Sequence, residues 1–147
     1  MIRWRKAAID DAKLQRIVAA ELIPQTRRLF PTFRGDKKTI AERLDRGLTF
    51  VAQEGRQAPL GFITFLIHRQ DAYVDMLAVE GPAKGRGIGT KLLAAAESHA
   101  RAKGCMQISL YVEESNESVR RFYINRGYFV LSHVPRLGCH FLIKPLA

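Results

Sequence analysis

Val79-Glu80-Gly81-Pro82-Ala83-Lys84-Gly85-Arg86-Gly87-Ile88-Gly89-Thr90-Lys91 joins two stretches of different period. Before it, residues 73–79 form an apolar run that reads as a buried strand. After it, Ile88, Leu92, Ala96 and Ala100 recur every four residues, which predicts a helix over 90–102. The piece is strand, glycine-rich turn, helix. Gly85, Gly87 and Gly89 have no Cβ, so a ligand can approach the backbone and the turn can take unusual dihedrals. The free N–H groups at the helix start, at the positive end of its dipole, suit a phosphate. Lys84, Arg86 and Lys91 add positive charge beside them.

Spacing narrows which phosphate site this is. A P-loop needs Gly, four residues, then Gly-Lys-Ser/Thr. Starting from Gly81 or Gly85, the second Gly would fall on Arg86 or Thr90, so both registers fail. A dinucleotide fingerprint needs G-x-G-x-x-G, whereas the glycines here run G-x-G-x-G. The stretch Lys84-Gly85-Arg86-Gly87-Ile88-Gly89 resembles the acetyl-CoA signature of the GCN5-related N-acetyltransferase (GNAT) family, Gln/Arg-x-x-Gly-x-Gly/Ala. Lys84 stands where Gln or Arg is usual, which keeps a donor but loses the planar fork of Arg. Taken alone, the motif is also compatible with a plain connecting turn.

At 147 residues the chain reads as one domain, 1–147, large enough for a core without disulfide staples. No run approaches the roughly 20 apolar residues of a membrane span. The N-terminal Met1-Ile-Arg-Trp-Arg-Lys6 lacks the apolar core of a signal peptide, and Cys105 and Cys139 sit in unrelated contexts. These features point to a reduced, cytoplasmic protein without a membrane partner. Lys plus Arg number 24 against 14 Asp plus Glu, a net charge of +10, which favours an anionic partner. The basic residues are scattered and no nucleic-acid motif accompanies them, so a basic surface that attracts an anionic cofactor is the preferred reading over nucleic-acid binding.

Along the chain, residues 2–7 read as a first strand, and Asp10-Asp11 as a cap for a helix carrying Leu14, Ile17, Val18 and Leu22. Pro24 breaks or bends it, and residues 25–30 form a short helical turn before Pro31. A further helix spans 39–46, with Ile40 and Leu44 inward and Gly47 at its end. Strands over 48–53, 60–68 and 72–79 follow with short connections, an antiparallel meander. Gly104 stops the long helix, and residues 106–112 alternate as a strand, so strand, crossover helix and strand form a right-handed parallel unit. Ser115 can cap a last helix whose inward residues are Val119, Phe122 and Tyr123, and strands 128–134 and 139–144 close the chain as a hairpin. The class is α/β (α+β): a mixed, mostly antiparallel sheet of about seven strands flanked by helices. This order also fits the GNAT fold.

Asn116 and Tyr123, with Gly127-Tyr128 after them, are similar to the family's downstream pattern Asn…Tyr…Gly-Phe/Tyr. Seven residues at 100° bring Tyr123 within about 20° of Asn116 around a helix axis, so both can face one groove. An amide there can bond pantetheine. A phenol there, with a reference pKa of about 10, is protonated at neutral pH and can donate to a thiolate. Either residue has an ordinary alternative role, Tyr123 in the core and Asn116 as a helix cap.

The resemblance implies the rest of the site. Two parallel strands ending near Val79 and Val112 splay apart, and pantetheine lies between them. Backbone groups of Leu77, Ala78 and Val79 bond it, and the amides from Gly85 to Thr90 hold the pyrophosphate. Lys84, Arg86 or Arg120 reach the adenine and its phosphate. The implied activity is transfer of acetyl from acetyl-CoA to an amine by direct attack, without a metal. Tyr123 is the expected acid. Asp75, on the strand before the turn and on the same face as Tyr73 by period 2, is the expected base or ammonium attractor, with Glu113 and Glu80 next. A regulatory acyl-CoA-binding module without turnover, or a basic nucleic-acid-binding domain, are the alternatives. The acceptor is a small-molecule or protein amine of unassigned identity, and the oligomeric state is open, a homodimer included.

Overall fold

The computed structural model describes residues 1–29 and 32–147. Its elements are β1 (Ile2–Trp4), α1 (Ala7–Glu21), α2 (Ile23–Leu29), α3 (Lys37–Arg46), β2 (Leu48–Ala52), β3 (Gly61–His68) and β4 (Asp71–Val79). Then come α4 (Ile88–Ala102), β5 (Gln107–Glu113), α5 (Glu117–Ile124), β6 (Phe129–Val134) and β7 (Cys139–Pro145). Seven strands form one sheet in the order β1-β2-β3-β4-β5-β7-β6. All neighbours are antiparallel except β4 and β5. The α/β class, the meander and the parallel pair are as the sequence predicts.

Two layers of helix cover the sheet. Leu14, Ile17 and Val18 of α1 and Ile40 and Leu44 of α3 pack on Val51, Phe62, Met76 and Ala78. Leu92, Leu93, Ala96 and Ala100 of α4, with Tyr123 of α5, pack on Ile63, Phe65, Val74, Ile108 and Leu110 on the opposite face. A helix on each face requires strands that are apolar on both sides, and β3 (Gly-Phe-Ile-Thr-Phe-Leu-Ile-His) is. Each fully buried Leu, Ile or Phe removed from water contributes about 1.5–3 kcal/mol.

Several sequence expectations shift at the caps. α1 begins at Ala7, so Asp10 and Asp11 lie inside its first turns and do not precede it. Asp10 reaches back to accept the Lys6 N–H at 2.7 Å and holds Arg3 through two bonds of 2.8 and 2.9 Å. Negative charge in the first turn also suits the helix dipole. The last helix is capped by Asn116 and not by Ser115: the Asn116 side chain accepts from the Val119 N–H at 3.3 Å. Pro24 stands near the start of α2, where its missing N–H costs nothing. The expected end of that helical turn, Phe30, and its stop, Pro31, lie outside the described residues.

Two irregularities in β4 build the site. Thr64 of β3 pairs with Met76 and Phe65 with Val74, so Asp75 is left over as a β-bulge. The bulge flips the alternation: Ala72 and Val74 pack toward α4, Met76 and Ala78 toward α1 and α3. On the other edge, β4 pairs with β5 only at Asp71↔Gln107, Ala72↔Ile108 and Tyr73↔Ser109. Beyond Tyr73 and Ser109 the two strands part, although β4 runs on to Val79 and β5 to Glu113.

Candidate active site

The parted strands and the helices above them enclose two adjoining cavities. The larger, about 540 Å³, runs from Leu77–Val79 past Lys84, Gly85, Gly87 and Thr90 to Phe122 and Arg126. The smaller, about 220 Å³, lies between the strands, lined by Asp75, Tyr111, Glu113 and Asn116 and by Thr26 and Phe33. Leu22, Gln25, Leu77, Val119 and Tyr123 line both. Tyr123 therefore stands where one cavity opens into the other.

The larger cavity ends on the glycine turn. Gly85 and Gly87 have φ of 81° and 77°, a region that side chains avoid, and a Cβ at either would project into open space. Gly87 is the N-cap of α4 and no side chain caps the helix. The Lys91 N–H is bonded to the Gly87 carbonyl, which leaves the first-turn amides of Ile88, Gly89 and Thr90 as donors without an intrahelical acceptor. These donors and the helix dipole make a cradle fitted to a diphosphate. Gly89 differs: its φ is not positive and its Cβ would rest 3.5 Å from the Phe122 ring, ordinary contact.

The cations around the turn are arranged differently from the sequence expectation. Lys84 pairs with Glu21, and Arg86 pairs with Glu54 at 3.1 Å. Both are half-exposed or more, and such surface pairs contribute little and exchange readily for a phosphate. Arg126 was not anticipated. It lies over the Phe122 ring at 3.7 Å, donates to the Phe122 carbonyl at 2.6 Å and to Thr90 Oγ1 at 2.8 Å, and so lines the larger cavity. A basic residue in the loop after α5 gives no pattern of its own, and only the fold brings it to the start of α4.

Asn116, Val119 and Tyr123 line the smaller cavity at i, i+3 and i+7, the shared face that the seven-residue offset implies. The Asn116 carbonyl oxygen is used in capping α5, so its amide N–H₂ is the end left for a ligand. Tyr123 is buried, and burial pushes its phenol above the ordinary tyrosine range. It is held by ring contacts: Phe122 at 5.1 Å and Tyr128 at 5.3 Å, both edge-on. Tyr128 is in turn fixed by donating to buried Glu97 at 2.7 Å, whose other oxygen accepts from Lys144 at 2.9 Å.

Asp75 lines the smaller cavity, but its carboxylate is engaged. Arg43 of α3 grips it through two bonds of 2.8 and 3.1 Å, and the carboxylate is largely buried. The pair presents almost no net charge. Tyr73, on the same side of the sheet, is pushed up to about 12, chiefly by burial and then by the Asp75 charge. Glu80 pairs with Lys13 and lines neither cavity. Glu113 does line the smaller one. Among the described residues no group of three or more His, Cys, Asp or Glu side chains is placed to hold a metal ion. No described helix is long and apolar enough to cross a membrane.

Comparison with known proteins agrees with this geometry. Residues 14–128 match the Acetyltransferase (GNAT) family. Over 61 residues the chain is 38% identical to a mycothiol acetyltransferase of Streptosporangium roseum, covering 42% of this chain and 18% of that protein. The structure of aminoglycoside 6'-acetyltransferase type Ii superposes with a TM-score of 0.80 at 18% identity, over 100% of this chain and 97% of that one. PaiA N-acetyltransferase from Thermoplasma acidophilum, a structure in complex with coenzyme A, superposes with a TM-score of 0.72 at 19% identity, over 99% of each chain. At these identities the structures speak for the fold, and the family match for descent. The chain is a member of the GNAT acetyltransferase family.

Proposed function

We propose that this chain is an acetyl-CoA-dependent N-acetyltransferase. Acetyl-CoA occupies the larger cavity, and an amine acceptor enters the smaller one. The observation that carries the reading is the position of Tyr123, on the wall common to both cavities. Family membership supports it, and so does the uncapped, glycine-lined start of α4, whose amides match a pyrophosphate. The free backbone edge of β4 from Leu77 to Val79, left unpaired by β5, offers donors and acceptors to pantetheine amides. Arg126 and Lys84, which both line the larger cavity, add cations beside the phosphates.

The reaction follows from these positions. The acceptor, once it has lost a proton to water or a base, attacks the thioester carbonyl carbon with its nitrogen lone pair. The C–N bond forms, the C–S bond breaks, and the sulfur departs as a thiolate. The nitrogen, cationic after attack, releases its second proton to solvent, while Tyr123 gives the thiolate its phenolic proton and regains one from solvent, so the products are the amide and the free thiol. Burial keeps the phenol protonated at neutral pH, so its proton is in place when the thiolate departs. The Arg43–Asp75 pair, nearly neutral, forms part of the acceptor wall.

The direct check is a panel of amines with acetyl-CoA, following thiol release and the acetylated amine by mass. One acceptor should give equal amounts of both. Thiol release at the same rate with and without every amine, with no acetylated product, would overturn the reading.

A further inference from the structure

On the open side of β4, β5 and β7, away from α4 and α5, three aromatic rings form a continuous wall. Tyr73 and Tyr111 meet edge-on at 6.1 Å, and Tyr111 and Phe141 lie 5.0 Å apart. Glu113 follows Tyr111 by two residues on β5, so it projects from the same face, and it lines the smaller cavity. Its Oε1 accepts from Ser115 at 2.7 Å, and Oε2 has no partner among the described residues. The charges around Glu113 leave it distinct. Asp75 is neutralised by Arg43 and Glu114 is engaged by His133. Cys139, opposite Glu113 in the β5–β7 register, has its thiol pushed up by burial and by the Glu113 and Glu114 charges, and so carries no charge of its own. In a chain of net charge +10, this is the carboxylate in the cavity with a free oxygen and no ion-pair partner among the described residues.

We propose that Glu113, and not Asp75, binds the acceptor as a cation: the ammonium of a primary alkylamine seats on its free oxygen, flanked by the Tyr111 ring. A carboxylate supplies a charge-assisted bond to the ammonium, and an aromatic face beside it adds a cation–π contact. The Arg43–Asp75 pair is then a rigid, uncharged part of the wall. This deepens the acetyltransferase reading and rests on it for the reaction, although the binding event stands by itself.

The test measures binding and turnover separately. n-Butylammonium is titrated calorimetrically into the wild type, Glu113→Gln, Asp75→Asn and the double variant Arg43→Gln/Asp75→Asn. Acetylation of n-butylamine is then compared with acetylation of aniline, which is uncharged at neutral pH. Glu113→Gln should weaken n-butylammonium binding and raise its KM about tenfold or more, the scale of one bond to a charged group. It should leave the KM of acetyl-CoA unchanged, and the loss with aniline should be well below the loss with n-butylamine. Asp75→Asn leaves Arg43 unpaired and repels the cation, and the double variant, which removes both charges, should recover wild-type affinity within about threefold. No binding of n-butylammonium to wild type, equal losses for both amines in Glu113→Gln, or no recovery in the double variant would each overturn the assignment. Binding that follows this pattern without acetylated product from either amine would instead count against the transferase reading alone.

Discussion

The proposed mechanism concentrates its chemistry in one hydroxyl, that of Tyr123. Burial raises its pKa, so the protonated form persists to higher pH than for a free phenol. Its loss of the proton therefore adds no falling limb to the kcat profile up to about pH 10, the ordinary tyrosine value. Tyr123→Phe keeps the ring contacts with Phe122 and Tyr128 and removes only the proton. Turnover should fall about 10²-fold, while acetyl-CoA affinity changes little. A fall of less than about threefold, with the chemical step limiting, would leave the phenol as packing only. The Asn116–Tyr123 pair was legible in the sequence because helix geometry alone puts residues seven apart on one face. The partner of Asp75 was not. Arg43 lies 32 residues away, and no local pattern announces an ion pair across that distance.

Elements carry the next level. The glycine turn reads correctly from its spacing because it is a local device, a strand end, a tight turn and a helix start within thirteen residues. Its three glycines are not equivalent, and their difference yields a prediction. Gly87→Ala forces a side chain into φ near 77° and should cost about 1–2 kcal/mol in urea unfolding. Gly89→Ala meets only the Phe122 ring at contact distance and gains helix propensity, so it should be neutral or stabilise by up to about 1 kcal/mol. Equal effects in the two variants would contradict this account of the turn. The bulge at Asp75 escaped the sequence for a physical reason. Ala72, Val74, Met76 and Ala78 alternate without a break, and both faces of β4 are covered, so the switch of faces leaves no mark in the hydrophobic pattern. Caps were similarly underdetermined, since neighbouring polar residues such as Ser115 and Asn116 compete for one role.

For the whole molecule, the order of elements was legible almost throughout, because helices on both faces demand apolar strands and a parallel pair demands a crossover helix. What the order could not give is where β4 and β5 stop pairing, and that limit creates the site. Ending the ladder at Tyr73 and Ser109 opens the space in which the two cavities meet. The central claim is that acetyl-CoA threads this gap from the start of α4 to Tyr123. It is tested most directly by a crystal structure of the chain with coenzyme A bound. The diphosphate is expected against the amides of Ile88, Gly89 and Thr90, with the thiol sulfur about 3–4 Å from the Tyr123 hydroxyl or joined to it by one water. A coenzyme bound outside the parted strands, or a sulfur beyond the reach of one bridging water, would contradict the account.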